Sequence, residues 1–268
     1  MLLTYIRLAF RHLRKHSLIA FINIMGLGVA LLAYVLILQH VGYEKSYDQF
    51  HTANDRIYRV DSEFANGDDR ERYAMNYYGL AEAMQADFPE VEAYTTLHPG
   101  ELVIETATDN YHEGDIYLVD SNFAEFFSFP LVSGDVSTAL DEPASAILSA
   151  HAAEKYFGQQ DPVGQVLRYN GGKELNVKAV VEIPENSHIN FNIVANGRNY
   201  VNRRYREQDA IWDWSNFYVY VRLQEGAMAT KTADKFPQLI AKYLPDDDEE
   251  TAFFLVPLAD IHLQSNLG

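Results

Sequence analysis

Residues 18–38, LIAFINIMGLGVALLAYVLIL, form an apolar run of 21 residues without a single charge, and no other feature constrains the chain as strongly. At ~1.5 Å of rise per helical residue the run reaches ~30 Å, the thickness of a bilayer's hydrocarbon core, and such a length is uncommon for a buried helix of a soluble domain. The chain therefore reads as a membrane protein with one N-terminal span. A secretory signal also begins with basic residues ahead of an apolar stretch. Its apolar core covers roughly 7–15 residues and ends at a small-x-small cleavage site. Here the run is longer and leaves through Gln39, His40, Val41, Gly42 and Tyr43, which favours a retained anchor.

Orientation follows from charge. Arg7, Arg11, Arg14 and Lys15 precede the span, and no Asp or Glu occurs before Glu44. Basic residues close to a span stay on the cytoplasmic side, so the N-terminus is expected in the cytoplasm and residues 44–268 outside it, in a bacterial periplasm beyond the inner membrane. Removing those four cations from the net charge of −17 leaves −21 for the rest of the chain. An outer region this acidic argues against nucleic acid or an anionic lipid surface as its partner.

Two further patterns mark the N-terminal part. Leu2, Leu3, Ile6, Ala9, Phe10 and Leu13 recur at helical spacing opposite the four cations, which predicts an amphipathic helix over residues 1–17 lying at the cytoplasmic interface. Such a helix contacts lipid headgroups or a cytoplasmic protein that drives the membrane part; a passive anchor has the same periodicity. Within the span, assigned to residues 18–41, Asn23, Gly26, Ala30 and Ala33, with Gly28 nearby, offer a small surface for a second helix and a side-chain amide able to bond across it. A lone lipid-facing anchor is the alternative.

About 225 residues remain beyond residue 43, enough for one large domain or two small ones. They contain no Cys, so disulfides, thiolate metal ligation and a cysteine nucleophile are excluded. Tyr58, Val60, Ser62 and Phe64 share one face of a predicted strand, and Leu80, Met84 and Phe88 follow at helical spacing, with Pro89 as the stop. Short strands are expected at residues 102–106 and 116–119, a turn of helix at 122–127, and a helix at 150–157 before a turn-rich stretch at 158–172. Alternation is clearest at 175–183 and again at Phe217, Val219, Val221 and Leu223. A helix carrying Phe236, Leu239, Ile240, Tyr243 and Leu244 comes next, then a strand at 252–256. The order is α+β, without the regular rhythm of a doubly wound sheet. Strand-helix units near both ends flank a β-rich middle, which predicts a domain of residues 44–130 and 205–268 split by an insertion at 131–204. The polar residues 130–143 and 196–208 would form the junctions.

Catalytic motifs are lacking. Gly171-Gly172-Lys173 continues into Glu174 and has Leu167 where a P-loop needs its first Gly, and Gly26-x-Gly28 lies inside the span without the third Gly of a dinucleotide loop. No His-Glu-x-x-His or Gly-x-Ser-x-Gly occurs. His112, Glu113 and Asp115 read as a solvated turn rather than a metal site, and the acids at 246–250 lack the alternating ligands and central Gly of a calcium loop. Trp212 and Trp214 would point the same way in an extended strand, either stacking on a ligand or covering a core edge. No catalytic, cofactor-binding or metal-ligating residue is assigned, and an enzyme is not expected.

The linear text carries a resemblance. Asn23-Ile24-Met25-Gly26-Leu27-Gly28, Tyr43-Glu44-Lys45-Ser46-Tyr47-Asp48-Gln49-Phe50-His51 and Asp55-Arg56-Ile57-Tyr58-Arg59-Val60 resemble the start of FtsX-like ABC transporter permeases of the MacB type. Phe126-Phe127-Ser128-Phe129-Pro130-Leu131, Ala139-Leu140-Asp141-Glu142-Pro143, Ala153-Glu154-Lys155-Tyr156-Phe157-Gly158, Asp161-Pro162-Val163-Gly164, Asn186-Ser187-His188 and Leu258-Ala259-Asp260-Ile261-His262-Leu263 are similar to the periplasmic core domain of that family, in the same order. The resemblance implies a cytoplasmic helix, a first span, and a porter-like periplasmic subdomain split by a β-rich one, with three more spans to follow. It also implies a separate cytoplasmic ABC ATPase as partner, a homodimer or a related permease as companion, a periplasmic adaptor, and motion in place of catalysis. Members drive export through an outer-membrane conduit, extract lipoproteins or activate cell-wall hydrolases. This chain stops at Gly268 without a second spanning run, which fits a fragment of a longer permease or a truncated product. The competing class is a single-span periplasmic sensor or binding module without transport.

Overall fold

A computed structural model describes residues 2–66, 69–106, 109–198, 200–201, 211–245 and 251–264 and divides the chain into two compact units, Met1–Ser46 and Tyr47–Gly268. The first unit holds two helices, α1 (Leu2–Lys15) and α2 (Ser17–Glu44), separated at His16, whose φ of −120° and ψ of 50° leave helical geometry. The run predicted to end near residue 41 continues to Glu44, because Gln39 to Tyr43 include no Pro and the lone Gly42 only weakens a helix. At 28 residues α2 is ~42 Å long, and none of its side chains is buried. Leu, Ile, Val and Phe side chains exposed on all sides of one helix match hydrocarbon as the surrounding solvent.

In the second unit, the elements are β1 (Ile57–Asn66), β2 (Asp69–Tyr73), β3 (Asn76–Tyr77), α3 (Tyr78–Asp87), β4 (Val91–Glu105), β5 (Asn110–Val119), α4 (Phe123–Phe126), β6 (Leu131–Gly134), β7 (Ser145–Ser149) and α5 (Ala150–Phe157). There follow β8 (Val166–Tyr169), β9 (Lys173–Val181), β10 (Ile193–Asn196), β11 (Ser215–Leu223), α6 (Ala229–Ala233), α7 (Phe236–Tyr243) and β12 (Ala252–Pro257). The main path of the sheet runs β12-β1-β11-β4-β5-β10-β7-β9-β6. Pairing is antiparallel except at β5–β10 and β7–β9. Early and late strands thus alternate on one side of β5, and residues 131–196 supply the strands on the other.

Alternation explains the first core. Val60, Val219, Val221 and Phe217 face α3 and α7, where Leu80, Met84, Phe88, Phe236 and Leu239 close over them. Each such side chain contributes roughly 1.5–3 kcal/mol by leaving water. Helix α3 stops before Pro89, whose ring disfavours helical geometry at Phe88. A second core gathers Phe123, Phe126, Phe127, Phe129 and Phe191 around α4, and a third packs α5 on β7 and β9 through Ala152, Leu148 and Val177. Ser149 caps α5 by accepting the Ala152 amide at 3.1 Å. Gly134, at φ +88°, lies so close to β9 that a Cβ would stand 2.3 Å from the Lys178 carbonyl oxygen.

Several strands depart from the expectations. Strand β4 begins at Val91 instead of residue 102, because Thr95, Thr96 and Leu97 are buried consecutively and leave no alternation to read. All five residues of β7 are buried, and β8 occupies part of the stretch read as turns.

Candidate functional site where the large unit begins

The face of β1 opposite the helices carries Ile57, Arg59 and Asp61. Register places Arg59 beside Tyr220 and Tyr218 beside Leu97, with Tyr117 one strand further on, so β1, β11, β4 and β5 share a polar, tyrosine-rich floor. Simple alternation would leave such residues in water, yet Arg59, Asp61 and Tyr220 are buried. The cover comes from two segments about 140 residues apart.

Asp48 opens the first. Its φ of +57° is a left-handed conformation that Asp tolerates, its amide donates to the Asn186 carbonyl at 2.9 Å, and its Oδ1 accepts the His188 amide at 3.1 Å. Oδ2 stands 2.8 Å from Nδ1 of His188, an ion-pair distance, while Nε2 of that ring lies 2.9 Å from the Tyr220 hydroxyl. The carboxylate favours a proton on Nδ1, leaving Nε2 to accept from Tyr220. Asp48, His188 and Tyr220 thereby tie both covering segments to the sheet. His51 sits within the same wall against Phe50, Phe127 and Phe129, its Nε2 4.0 Å from Asp48. Burial outweighs the nearby Asp48 and lowers its pKa to about 4, so the ring is neutral near pH 7.

The two ends of the unit meet here. The Tyr47 ring stacks on that of His262, with centroids 3.4 Å apart and planes 8° from parallel. Between these rings and the tyrosine floor lies a pocket of about 320 Å³, lined also by Arg59, His188 and Ile261. Arg59 donates to Asp61 through Nε at 2.7 Å and Nη2 at 3.2 Å, and Arg72 approaches the same carboxylate at 3.8 Å. Burial pushes the Tyr117 hydroxyl up to about 12 and raises that of Tyr220 as well, so both stay protonated.

The residues singled out from the sequence lie elsewhere. Arg7, Arg11, Arg14 and Lys15 are exposed on α1, and Asn23, Gly26, Ala30 and Ala33 are exposed on α2. The side chains of Leu2, Leu3, Ala9, Phe10 and Leu13 lie outside the described residues, as do the acids at 246–250 and most of the polar junction at 196–208. Trp212 and Trp214 diverge because residues 211–212 form a helical turn: Trp212 stacks on Tyr243 with centroids 5.2 Å apart, and Trp214 is exposed. Glu113 corrects the reading of a solvated turn. It is buried, 2.8 Å from Lys155 Nζ, and accepts from Tyr156 and, at 3.0 Å, from Asn192. Burial opposes its charge, but these hydrogen bonds prevail and lower its pKa to about 2. Among the described residues no group of three His, Asp or Glu side chains is placed to hold a metal.

The fold is that of a permease-type α+β domain preceded by an apolar helix. The family model described as MacB-like periplasmic core domain matches residues 20–239, and the chain belongs to this family, as its motifs imply. The family consists of components of ABC transporters that work with cytoplasmic ATPase partners, and membership together with α2 indicates the inner membrane. A domain assigned to a permease protein of Porphyromonas gingivalis is similar at a TM-score of 0.63 and 21% identity, over 78% of this chain and 92% of that one. The periplasmic region of MacB from Actinobacillus actinomycetemcomitans gives 0.53 and 15%, over 77% and 91%. The extracellular domain of the ABC-type transporter YknZ from Gram-positive bacteria gives 0.50 and 13%, over 74% and 99%. At such identities the likeness concerns the fold. No curated protein matches the chain in sequence.

Proposed function

We propose that the chain is the N-terminal portion of a permease subunit that carries ATPase-driven motion from the cytoplasm to a periplasmic domain, for export or extraction of a substrate. The observation that carries this reading is the stack of Tyr47 on His262, with Asp48 and His188 locked beside it. A domain held at both of its ends in one place moves as a body when the segments leading to it move, and needs no catalytic group to do so. In this reading the N-terminus is cytoplasmic and residues 44–268 are periplasmic. Arg7, Arg11, Arg14 and Lys15 face the ATPase or the headgroups around it. Asn23, Gly26, Ala30 and Ala33 pack against a second span, from a homodimer partner or a related permease, and a periplasmic adaptor meets the outer domain. Residues 131–204 act as a β-rich subdomain inserted between 44–130 and 205–268.

The test is co-expression of the native-length protein with ABC ATPases of the same organism, followed by purification in detergent and measurement of oligomeric state and ATP hydrolysis. Co-purification as a dimer, with hydrolysis altered by charge reversal at Arg7 and Arg11, is the expected result. A monomer that never engages an ATPase refutes the proposal.

A further inference from the structure

A second cavity, of about 490 Å³, opens at the C-terminal ends of the parallel pair β5 and β10. Asp120 and Asn122 after β5, Tyr78 of α3 and Tyr94 of β4 share its wall with Asp141 and Arg198. Its unmet polar atoms are acceptors. Asp120 spends Oδ2 on the Thr96 amide and hydroxyl, both at 2.8 Å, and among the described residues Oδ1 accepts no hydrogen bond. Asn122 donates from Nδ2 to the Tyr94 carbonyl at 2.7 Å, which fixes the amide's orientation and leaves its Oδ1 buried without a donor. Such atoms are costly to leave unmet, a charged one most of all. Asp120 also lacks a counter-ion. What acts on its charge is burial, which raises its pKa, opposed only by the two Thr96 bonds. Arg198 is exposed and is not among these influences. Burial, with the carboxylates of Asp120 and Glu82, pushes the Tyr94 hydroxyl up to about 12, so that neighbour stays neutral. The surroundings of the two open oxygens are therefore acidic and uncompensated.

Two acceptor oxygens, one of them charged, beside two tyrosine rings suit a primary ammonium, which brings three donors and no acceptor and is attracted to aromatic faces. A bare metal ion fits less well. The volume is that of a small-molecule site, and among the described residues no three His, Asp or Glu side chains converge on an ion. Val119 and Val201 in the same wall offer apolar surface to the carbon chain behind the ammonium. We propose that this cavity binds a primary ammonium group, carried by a peptide N-terminus or an alkyl amine, with Asp120 Oδ1 and Asn122 Oδ1 as its acceptors and exposed Asp141 adding attraction. The excess of 38 acidic over 21 basic residues favours the approach of a cation. Because α3, β4 and the segments after β5 and β10 all reach the cavity, one occupant would hold them together. The site stands on its own geometry, whether or not the chain carries ATPase-driven motion.

The full chain, purified in dodecyl maltoside, is titrated calorimetrically near neutral pH with trialanine amide, with its N-acetylated form and with butylamine. Binding of an amine, and none of the acetylated peptide, which has lost the charge, is expected. Asp120→Asn keeps an acceptor for Thr96 but removes the charge, and should lower affinity on the order of tenfold or more. Asp141→Asn, at an exposed carboxylate, should lower it about two- to fivefold. An unchanged thermal midpoint separates loss of the site from loss of the fold, and if Asp120→Asn does not fold, Asp141→Asn decides. Binding of both amines supports ammonium recognition from either source; the peptide alone assigns an N-terminus, and butylamine alone assigns a free amine. Equal binding of the acetylated peptide, undiminished affinity in the deciding variant, or no binding of either amine overturns the proposal.

Discussion

Replacing Asp48 by Ala tests the tie that closes the large unit. Asp48 is fully buried, its Oδ1 accepts the His188 amide at 3.1 Å and its Oδ2 faces His188 Nδ1 at 2.8 Å. Removing the carboxylate leaves the buried His188 amide without its acceptor, at about 1–3 kcal/mol, and Ala at a φ of +57° adds roughly 1–2 kcal/mol of backbone strain. A total of about 2–5 kcal/mol in a unit of this size, at about 2–4 °C per kcal/mol, lowers the unfolding midpoint by roughly 4–20 °C. Asp48→Asn keeps an acceptor and tolerates the left-handed backbone, so its loss is expected at about 1–3 kcal/mol. Thermal unfolding of the full chain in detergent, followed by the fluorescence of Trp212 and Trp214, provides the measurement. A cycle with His188→Ala then isolates the coupling, expected at about 0.5–3 kcal/mol. If Asp48→Ala unfolds within about 0.5 kcal/mol of the native sequence, the contacts between the covering segments do not hold the unit closed.

Gly134→Ala, whose Cβ would collide with the Lys178 carbonyl at a φ of +88°, is expected to destabilise by about 1–3 kcal/mol; a midpoint equal to that of the parent chain refutes the close approach of β6 to β9. His51 has a folded pKa of about 4 against an ordinary 6.5, so between those values the unfolded chain holds the extra proton and stability falls as pH falls. His51→Phe, placed among Phe50, Phe127 and Phe129, should flatten that slope in midpoints recorded from pH 7 to pH 4, and an unchanged slope would exclude His51 as its source. The pKa of Glu113 is also lowered, from an ordinary 4.5 to about 2, so its contribution is complete above about pH 4.5 and lost as pH drops toward 2. Glu113→Gln should lower stability at pH 6 and converge on the native sequence at pH 2, and a constant difference across that range would contradict the assignment.

Elements with one wet face or one helical stripe were legible before the fold was known. Helix α5 and the strands β9, β11 and β12 follow from spacing alone, and the span follows from length and charge. Strands β7 and the first half of β4 were not, since a strand buried on both faces has no alternation, and Thr95 and Thr96 give no apolar run to replace it. The candidate site was legible only as scattered text. Asp48, His51 and His188 stand within recognisable motifs, but nothing local says that residues about 140 apart touch, or that Arg59 and Asp61, spaced as a solvent face, are roofed over. The one available hint is Tyr218 and Tyr220 at alternate positions of β11, which gives its second face more apolar area than water would favour. Glu113 was misread for a related reason: its three partners come from α5 and from the segment before β10, all distant in sequence.

The interleaved sheet also sets an order of events during synthesis. The second half of β1 pairs at once with β2, but residues 57–61 find partners only in β11 and β12, about 150–190 residues later, so at 5–20 residues per second that half waits on the order of 10–40 s for its neighbours. Over that interval α2 can already lie in the membrane, while Val60 and the edges of the first half of β1 remain uncovered. Strands β7, β8 and β9, with α5, are close in sequence and can assemble first. The nascent chain therefore presents a folded middle between two unpaired ends, and a secretion factor that shields β1 until β11 has crossed the membrane would act on the most aggregation-prone species this protein forms.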